Sequence, residues 1–151
     1  MTAEENEILQ RDIRKALFRR IMLYIIVIAA LVVVAVFVFR QFKIYSNARL
    51  KLREAKNIKI TLEMLNTEYY AAGVSIYDEK ADGNLRKGAL TYVERIQGEL
   101  KGSVKLTGYN SSKRQITGLE YETEDYIVRY SVTGDSDVWQ VCLIKELLSY
   151  D

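Results

Sequence analysis

Apolar residues follow three successive patterns along this chain, and each pattern predicts a different element. The first is an unbroken run, Ile21–Phe39, reading IMLYIIVIAALVVVAVFVF. It holds no charge, no Gly and no Pro, and it is bounded by Arg19 and Arg20 on one side and Arg40 on the other. As a helix rising about 1.5 Å per residue it covers roughly 28 Å, the thickness of a bilayer's hydrocarbon core. Inside lipid a lone segment satisfies its backbone only as a helix, so the run predicts one transmembrane span over 21–39. The alternative, a helix buried in a soluble core, needs more surrounding chain than 151 residues supply.

The second pattern lies in 40–72, RQFKIYSNARLKLREAKNIKITLEMLNTEYYAA. Apolar or small residues recur at Ile44, Ala48, Leu52, Ala55, Ile58, Leu62, Leu65 and Tyr69, in steps of three and four that draw one stripe along a helix. Lys and Arg fill most of the remaining circumference. No Gly or Pro occurs before Gly73, so the span is predicted to continue into this amphipathic helix without a break. The stripe then has to pack on the C-terminal domain or on another subunit.

The third pattern begins after a loop at 73–83 and a second predicted helix over 84–101. That helix carries Leu85, Ala89, Val93, Ile96 and Leu100 on one face, with Asp82 or Asn84 as its cap and Gly102 as its stop. From Ser103 the period falls to two. Ser103–Thr107, Ile116–Glu122, Tyr126–Thr133 and Val138–Ile144 read as short strands, separated by the turn signals GYNSSKR and GDSD. Tyr126, Val128, Tyr130 and Val132 fall on one face, and Trp139, Val141 and Leu143 on another. The expected fold is α+β: a transmembrane helix, its long amphipathic continuation, a small helix, and a three- or four-stranded antiparallel sheet with one buried face. The predicted organisation is a tail at 1–20, the span at 21–39, the amphipathic helix at 40–72 and a small domain at 73–151.

The tail itself, MTAEENEILQRDIRKALFRR, has Thr2 and Glu5 at the spacing of a capping box, acids at its start and bases at its end. Ile8, Leu9, Ile13, Ala16 and Leu17 give it an apolar face, which fits a surface helix, an extension of the span or a docking segment for a cytoplasmic partner, and equally a solvated, half-formed helix. The C-terminal KELLSYD is read as a helical turn.

Charge sharpens this picture. Residues 40–72 hold seven basic and three acidic side chains, and residues 73–151 hold ten basic and thirteen acidic. A basic stretch beside the span favours anionic lipid headgroups. The distal domain has no basic, aromatic-interleaved patch of the kind that binds nucleic acid. Counting Lys and Arg near the span gives a tie: Arg11, Arg14, Lys15, Arg19 and Arg20 against Arg40, Lys43, Arg49, Lys51 and Arg53. The Arg19–Arg20 pair against the apolar run, and the short tail, place the tail inside and the C-terminal domain outside. No small-residue cleavage site follows the span, so it reads as a retained anchor.

The chemistry on offer is narrow. The chain has no His and one Cys, which removes the commonest general base, the commonest metal ligand and any intrachain disulfide. Cys142, in VWQVCLI, reads as a small buried residue. Glu120, Glu122 and Glu124 would share a strand face able to bind a cation, but a solvated polar face explains them better. Asp135 and Asp137 read as turn formers, and Asn110-Ser111-Ser112 matches a glycosylation acceptor. Eleven tyrosines, ten of them outside the span, are spread as packing residues. No phosphate loop, metal spacing or nucleophile–base pair is present. The expectation is a protein with no catalytic, cofactor-binding or metal site and no small-molecule substrate.

The junction of span and amphipathic helix resembles type IV pilins and pseudopilins. IIVIAALVVVAVFVF followed by RQFKIYSNAR is similar to that family's apolar run and its following segment: Gln41, Phe42 and Tyr45 match, with Arg40 where Pro is usual. AKNIKITLEMLNTEYYAAG resembles the second half of the family's helix. The order of elements agrees over about residues 25–145, the motifs over about forty of them. The resemblance implies a structural subunit of a surface filament or secretion apparatus, acting with membrane lipid and through self-association or other membrane subunits. The family's processing site needs a Gly followed by an apolar residue and then a Glu; no Gly precedes Gly73 and the first half of the span has no Glu. The alternatives are a bitopic scaffold of a secretion, pilus-assembly or division complex, and a membrane-anchored ligand-binding or enzymatic domain.

Overall fold

The computed structural model describes the backbone over residues 3–147 and the side chains over 14–145. The capping box at Thr2 and Glu5, the tail side chains Ile8, Leu9 and Ile13, and Tyr150 lie outside the described side chains. The chain is α+β. A single long helix, α1, runs over Ala3–Ala71. A 3-10 turn follows at Asp82–Asn84, then α2 (Ala89–Gln97), β1 (Gly102–Asn110), β2 (Gln115–Thr123), β3 (Tyr126–Thr133), β4 (Ser136–Leu143) and a last turn, α3 (Ile144–Leu147). By internal contacts it divides into residues 1–45 and 46–151.

Helix α1 is longer than the span and stripe together, because the tail joins it in the same helix. The tail is therefore helical and continuous with the residues that follow it. The absence of Gly and Pro before Gly73 is the physical reason: nothing in the sequence interrupts the hydrogen-bond ladder. The helix stops where the first glycine appears. Gly73 takes φ +71°. Its N–H donates to the Tyr70 carbonyl, and the Val74 N–H donates to the Tyr69 carbonyl. These two bonds make a Schellman cap, which needs a left-handed residue at that point.

The C-terminal unit is built on a four-stranded antiparallel meander in the order β1-β2-β3-β4. Each strand starts or ends within a few residues of its predicted position, and β3 covers Tyr126–Thr133 as expected. Thr133 pairs with Ser136 across a two-residue turn, Gly134-Asp135, so β4 begins earlier than the GDSD signal suggests. The β1–β2 pairing shifts around Gly108, where Leu106 faces Leu119, Gly108 faces Gly118 and Tyr109 faces Ile116. Val104, Leu106, Ile116, Leu119, Tyr121, Val128 and Tyr130 form the inner face, and Ala55, Ile58, Leu62 and Leu65 of α1 join Ala89 and Val93 of α2 in covering it. Both helices therefore lie on one face of the sheet, and the other face meets solvent.

Helix α2 is shorter than predicted. It occupies Ala89–Gln97 rather than 84–101. Leu85 instead bridges Tyr77 in an isolated antiparallel pair, and Gly88 enters the helix at φ +93°, a left-handed conformation no helical residue holds. Gly98, not Gly102, ends it, its N–H donating to the Glu94 carbonyl. Gly102 opens β1. Of the five residues predicted on its face, Leu85, Ala89 and Val93 are buried in the core, Leu100 packs against it half-buried, and Ile96 is exposed.

Candidate membrane anchor and helix-packing surface

The two functional features legible in the sequence occupy consecutive parts of α1. Over the span, an 18-residue window reaches a mean hydropathy of 3.3 and none of it is buried by the rest of the chain. Ile25, Val33, Phe37 and Phe39 are all more than half exposed. This is a helix long and apolar enough to cross a membrane, near the N-terminus. A soluble core helix of the same composition would be mostly covered by its own protein.

Beyond the span, the stripe passes by degrees into the core. Ile44, Ala48 and Leu52 are half-buried; Ala55, Ile58, Leu62 and Leu65 are buried; Tyr69 is again half-buried. Hydrogen bonds fix the helix's register on the sheet at both ends of this contact. Near its start the Tyr121 hydroxyl donates to Glu54 Oε2 at 3.1 Å. Burial, with Glu54's charge and the hydrogen bond beside it, pushes the Tyr121 hydroxyl up to about 12. Near its end Asn66, 8% exposed, donates through Nδ2 to the Arg114 carbonyl at 2.7 Å and accepts from the Tyr109 hydroxyl at 3.1 Å. A buried amide with both ends bonded tolerates little sliding, because any shift leaves it unpaired. The sequence offered little sign of Asn66: it is a polar residue next to the stripe, and only its neighbours in space reveal its role.

Along the β4 side the helix is held by cations. Lys59 Nζ lies 2.8 Å from Glu63 Oε1, 3.9 Å from Asp137 Oδ2 and 4.5 Å from the centre of the Tyr130 ring. Burial pulls the Lys59 ammonium down, but the bonds and charges of Glu63 and Tyr130 outweigh it and leave the pKa raised. Lys56 sits 5.7 Å from the centre of the Trp139 ring. So Lys59 does not lie on the solvated face that helical periodicity assigns to the basic residues. Asp137 is not a turn former either. It lies in β4 opposite Val132 and accepts from the Tyr130 hydroxyl at 2.8 Å.

Three smaller readings also change. Cys142 is half-buried, and it lies opposite Ile127, on the strand positions that alternate with Trp139, Val141 and Leu143. It belongs to the sheet's outer surface rather than the core, because side chains alternate along a strand and Trp139 and Val141 take the inner face. Glu120, Glu122 and Glu124 do not share a strand face. β2 ends at Thr123, Glu124 stands in the following bend, and Glu120 pairs with Arg129 Nε at 2.8 Å. Among the described residues no group of His, Cys, Asp and Glu is placed to hold a metal ion. Asn110 Oδ1 accepts the Lys113 N–H at 3.0 Å, closing the β1–β2 turn. Tyr121, Tyr126 and Tyr130 are buried, and Tyr77 stacks on Tyr109 with ring centres 5.6 Å apart.

The clefts of the C-terminal unit are shallow. One, about 220 Å³, lies between Glu54, Gln97, Lys101 and Tyr121. Another, about 320 Å³, lies between Asn66, Tyr70, Lys113 and Arg114, with the Arg114 guanidinium 3.9 Å over the Tyr70 ring. In the first, Glu54 and Tyr121 are bonded to each other, and in the second Asn66 is bonded to Arg114 and Tyr109. Comparison with protein-family models, with curated proteins and with solved structures returned no match.

Proposed function

We propose that this chain is a single-pass membrane-anchored, pilin-like or pseudopilin-like structural subunit of a surface filament or secretion apparatus. The observation that supports it is the division of labour along α1. One part presents an apolar cylinder that its own chain leaves wholly uncovered, and the next part is absorbed into a small α+β unit. A subunit of this kind works by packing: span against span in the membrane, and a rigid domain carried on the same helix. Membrane lipid and further copies of the chain, or other membrane subunits, are the partners this reading requires. The C-terminal domain is placed outside the cytoplasm, with the tail inside.

The test uses the full chain in membranes, with Cys142→Ser as background. Cysteines are introduced in pairs at Leu31 and Val33, on opposite sides of the helix, and crosslinked across the bilayer interior, since one thiol per chain can join only two copies. The reading expects a ladder that continues past the dimer. A ladder that stops at the dimer overturns the filament and favours a bitopic scaffold. Sidedness is checked by Ser111→Cys, in the exposed β1–β2 turn, which an impermeant thiol reagent labels in intact cells if the domain is outside.

A further inference from the structure

The C-terminal unit carries opposite charges on surfaces that face away from each other. On α1 the side opposite the core stripe holds Arg53, Ile60 and Met64, with Lys56 beside them toward β4, its Nζ 5.7 Å from the centre of the Trp139 ring, and all four are exposed. The Ile60 and Met64 side chains are more than half exposed, at 55% and 58%. On the sheet, Glu122 alternates with the buried Tyr121 and Thr123, so it points from the outer face. Glu124 and Asp125 extend that surface in the β2–β3 turn, and all three carboxylates are exposed. The helix covers the inner face of the same sheet. One copy therefore cannot bring its own basic helix face to its own acidic corner.

The two surfaces nevertheless lie at the same level. Tyr121, the neighbour of Glu122, bonds Glu54, the neighbour of Arg53. Two C-terminal units standing side by side, with no shift along the 46–71 part of α1, would bring Arg53 and Lys56 of one against Glu122, Glu124 and Asp125 of the next. We infer that a second copy of this chain docks its α1 outer face, through Arg53 and Lys56, onto the acidic β2–β3 corner of its neighbour. The inference rests on the self-association reading above. The contact is heterologous: each copy uses one surface to give and a different one to receive. Such contacts do not close on themselves as a two-fold dimer does, and they extend into rings or filaments. Ile60 and Met64 add apolar area beside the charged pairs, as interfaces generally combine the two.

The test is zero-length carbodiimide coupling of the full chain in membranes at low salt, analysed by mass spectrometry. Expected is a ladder past the dimer in which Lys56 is joined to Glu122, Glu124 or Asp125, and which weakens at high salt as screening removes the attraction. Because reversal removes the coupling lysine, its effect is read by disulfide formation through Leu31→Cys with Val33→Cys in a Cys142→Ser background, two thiols per chain so that more than two copies can be joined. Arg53→Glu with Lys56→Glu, and separately Glu122→Lys with Glu124→Lys, should each cut the oligomer by about tenfold, since each places like charges in apposition. Mixing the two variants should restore it, because their surfaces are again complementary in both directions. Unaltered circular dichroism of each variant shows that these exposed positions leave the fold intact. A ladder indifferent to both reversals, or a mixture that stays dispersed, overturns this contact while leaving self-association standing. If the wild-type chain gives a disulfide ladder but no carbodiimide ladder, this contact fails alone; if it gives neither, self-association and this contact fail together.

Discussion

The two parts of α1 share one backbone geometry and meet opposite surroundings. Residues 21–39 are apolar on every side, and nothing in the chain covers them. Residues 46–71 are apolar on one stripe only, and the sheet and α2 cover it. The difference teaches that helix formation here decides little. What separates an anchor from a core element is how far round the helix the apolar residues extend. A full cylinder calls for apolar surroundings on all sides, such as lipid provides; a stripe calls for a single flat partner, which a sheet supplies.

Four substitutions test that division. The largest effect is expected from a charge in the cylinder. Val33→Asp, at the centre of the span, should cost about 2.5–3.5 kcal/mol of insertion free energy and release a large share of the chain from membranes on alkaline extraction, without altering the unfolding of the C-terminal unit. Retention equal to wild type would break the comparison from the membrane side.

The converse is Leu62→Ala. Leu62 is fully buried between α1 and the sheet, so the cavity should cost about 2–5 kcal/mol in chemical denaturation, while membrane retention stays unchanged. A destabilisation below about 0.5 kcal/mol would mean that the stripe is not packed as described.

Asn66→Ala sharpens the contact by removing the bonds to Arg114 and Tyr109, and leaves a buried carbonyl and hydroxyl to find other partners. A loss of about 1–3 kcal/mol is expected, with faster amide exchange in the β1–β2 turn.

The smallest effect concerns pH. The Tyr121 hydroxyl is raised in the folded chain from its ordinary value to about 12. The folded state therefore holds that proton more tightly than the unfolded one. Its contribution is complete below the unfolded pKa and is lost as pH rises toward the folded value. Stability should fall as pH rises from about 10 to about 12, and Tyr121→Phe should flatten that segment of the curve at a cost of about 1 kcal/mol at neutral pH. A variant whose alkaline profile overlays the wild type would show that the proton is held elsewhere.

Legibility in the sequence followed the same line. The long apolar helix, its stripe and β3 depend on composition and period over many residues, and each is present in the structure. Short segments were less legible. Nothing local announces that Leu85 bridges Tyr77, or that Gly98 rather than Gly102 stops α2, because such boundaries are settled by what the backbone can pair with. The candidate site divides likewise. Ala55, Ile58, Leu62 and Leu65 could be picked from spacing alone. Asn66, Lys59 and Asp137 could not, since each acts through a partner distant in the chain: Arg114 for Asn66, and β3 or β4 for the other two.

By itself the sequence determined that this protein has an uninterrupted helix ending at its first glycine, an apolar cylinder within it, a single stripe beyond, and an antiparallel meander. Those features are sums of local preferences over long windows, and no distant contact is needed to establish them. The tertiary structure alone decided which charges are spent within the fold and which remain on its outside. Lys59 is turned toward Tyr130 and Glu120 is tied to Arg129, while Arg53 and Glu122 are left on opposite sides of the unit. Charge is carried by the sequence, but its direction in space is set only when helix and sheet have packed.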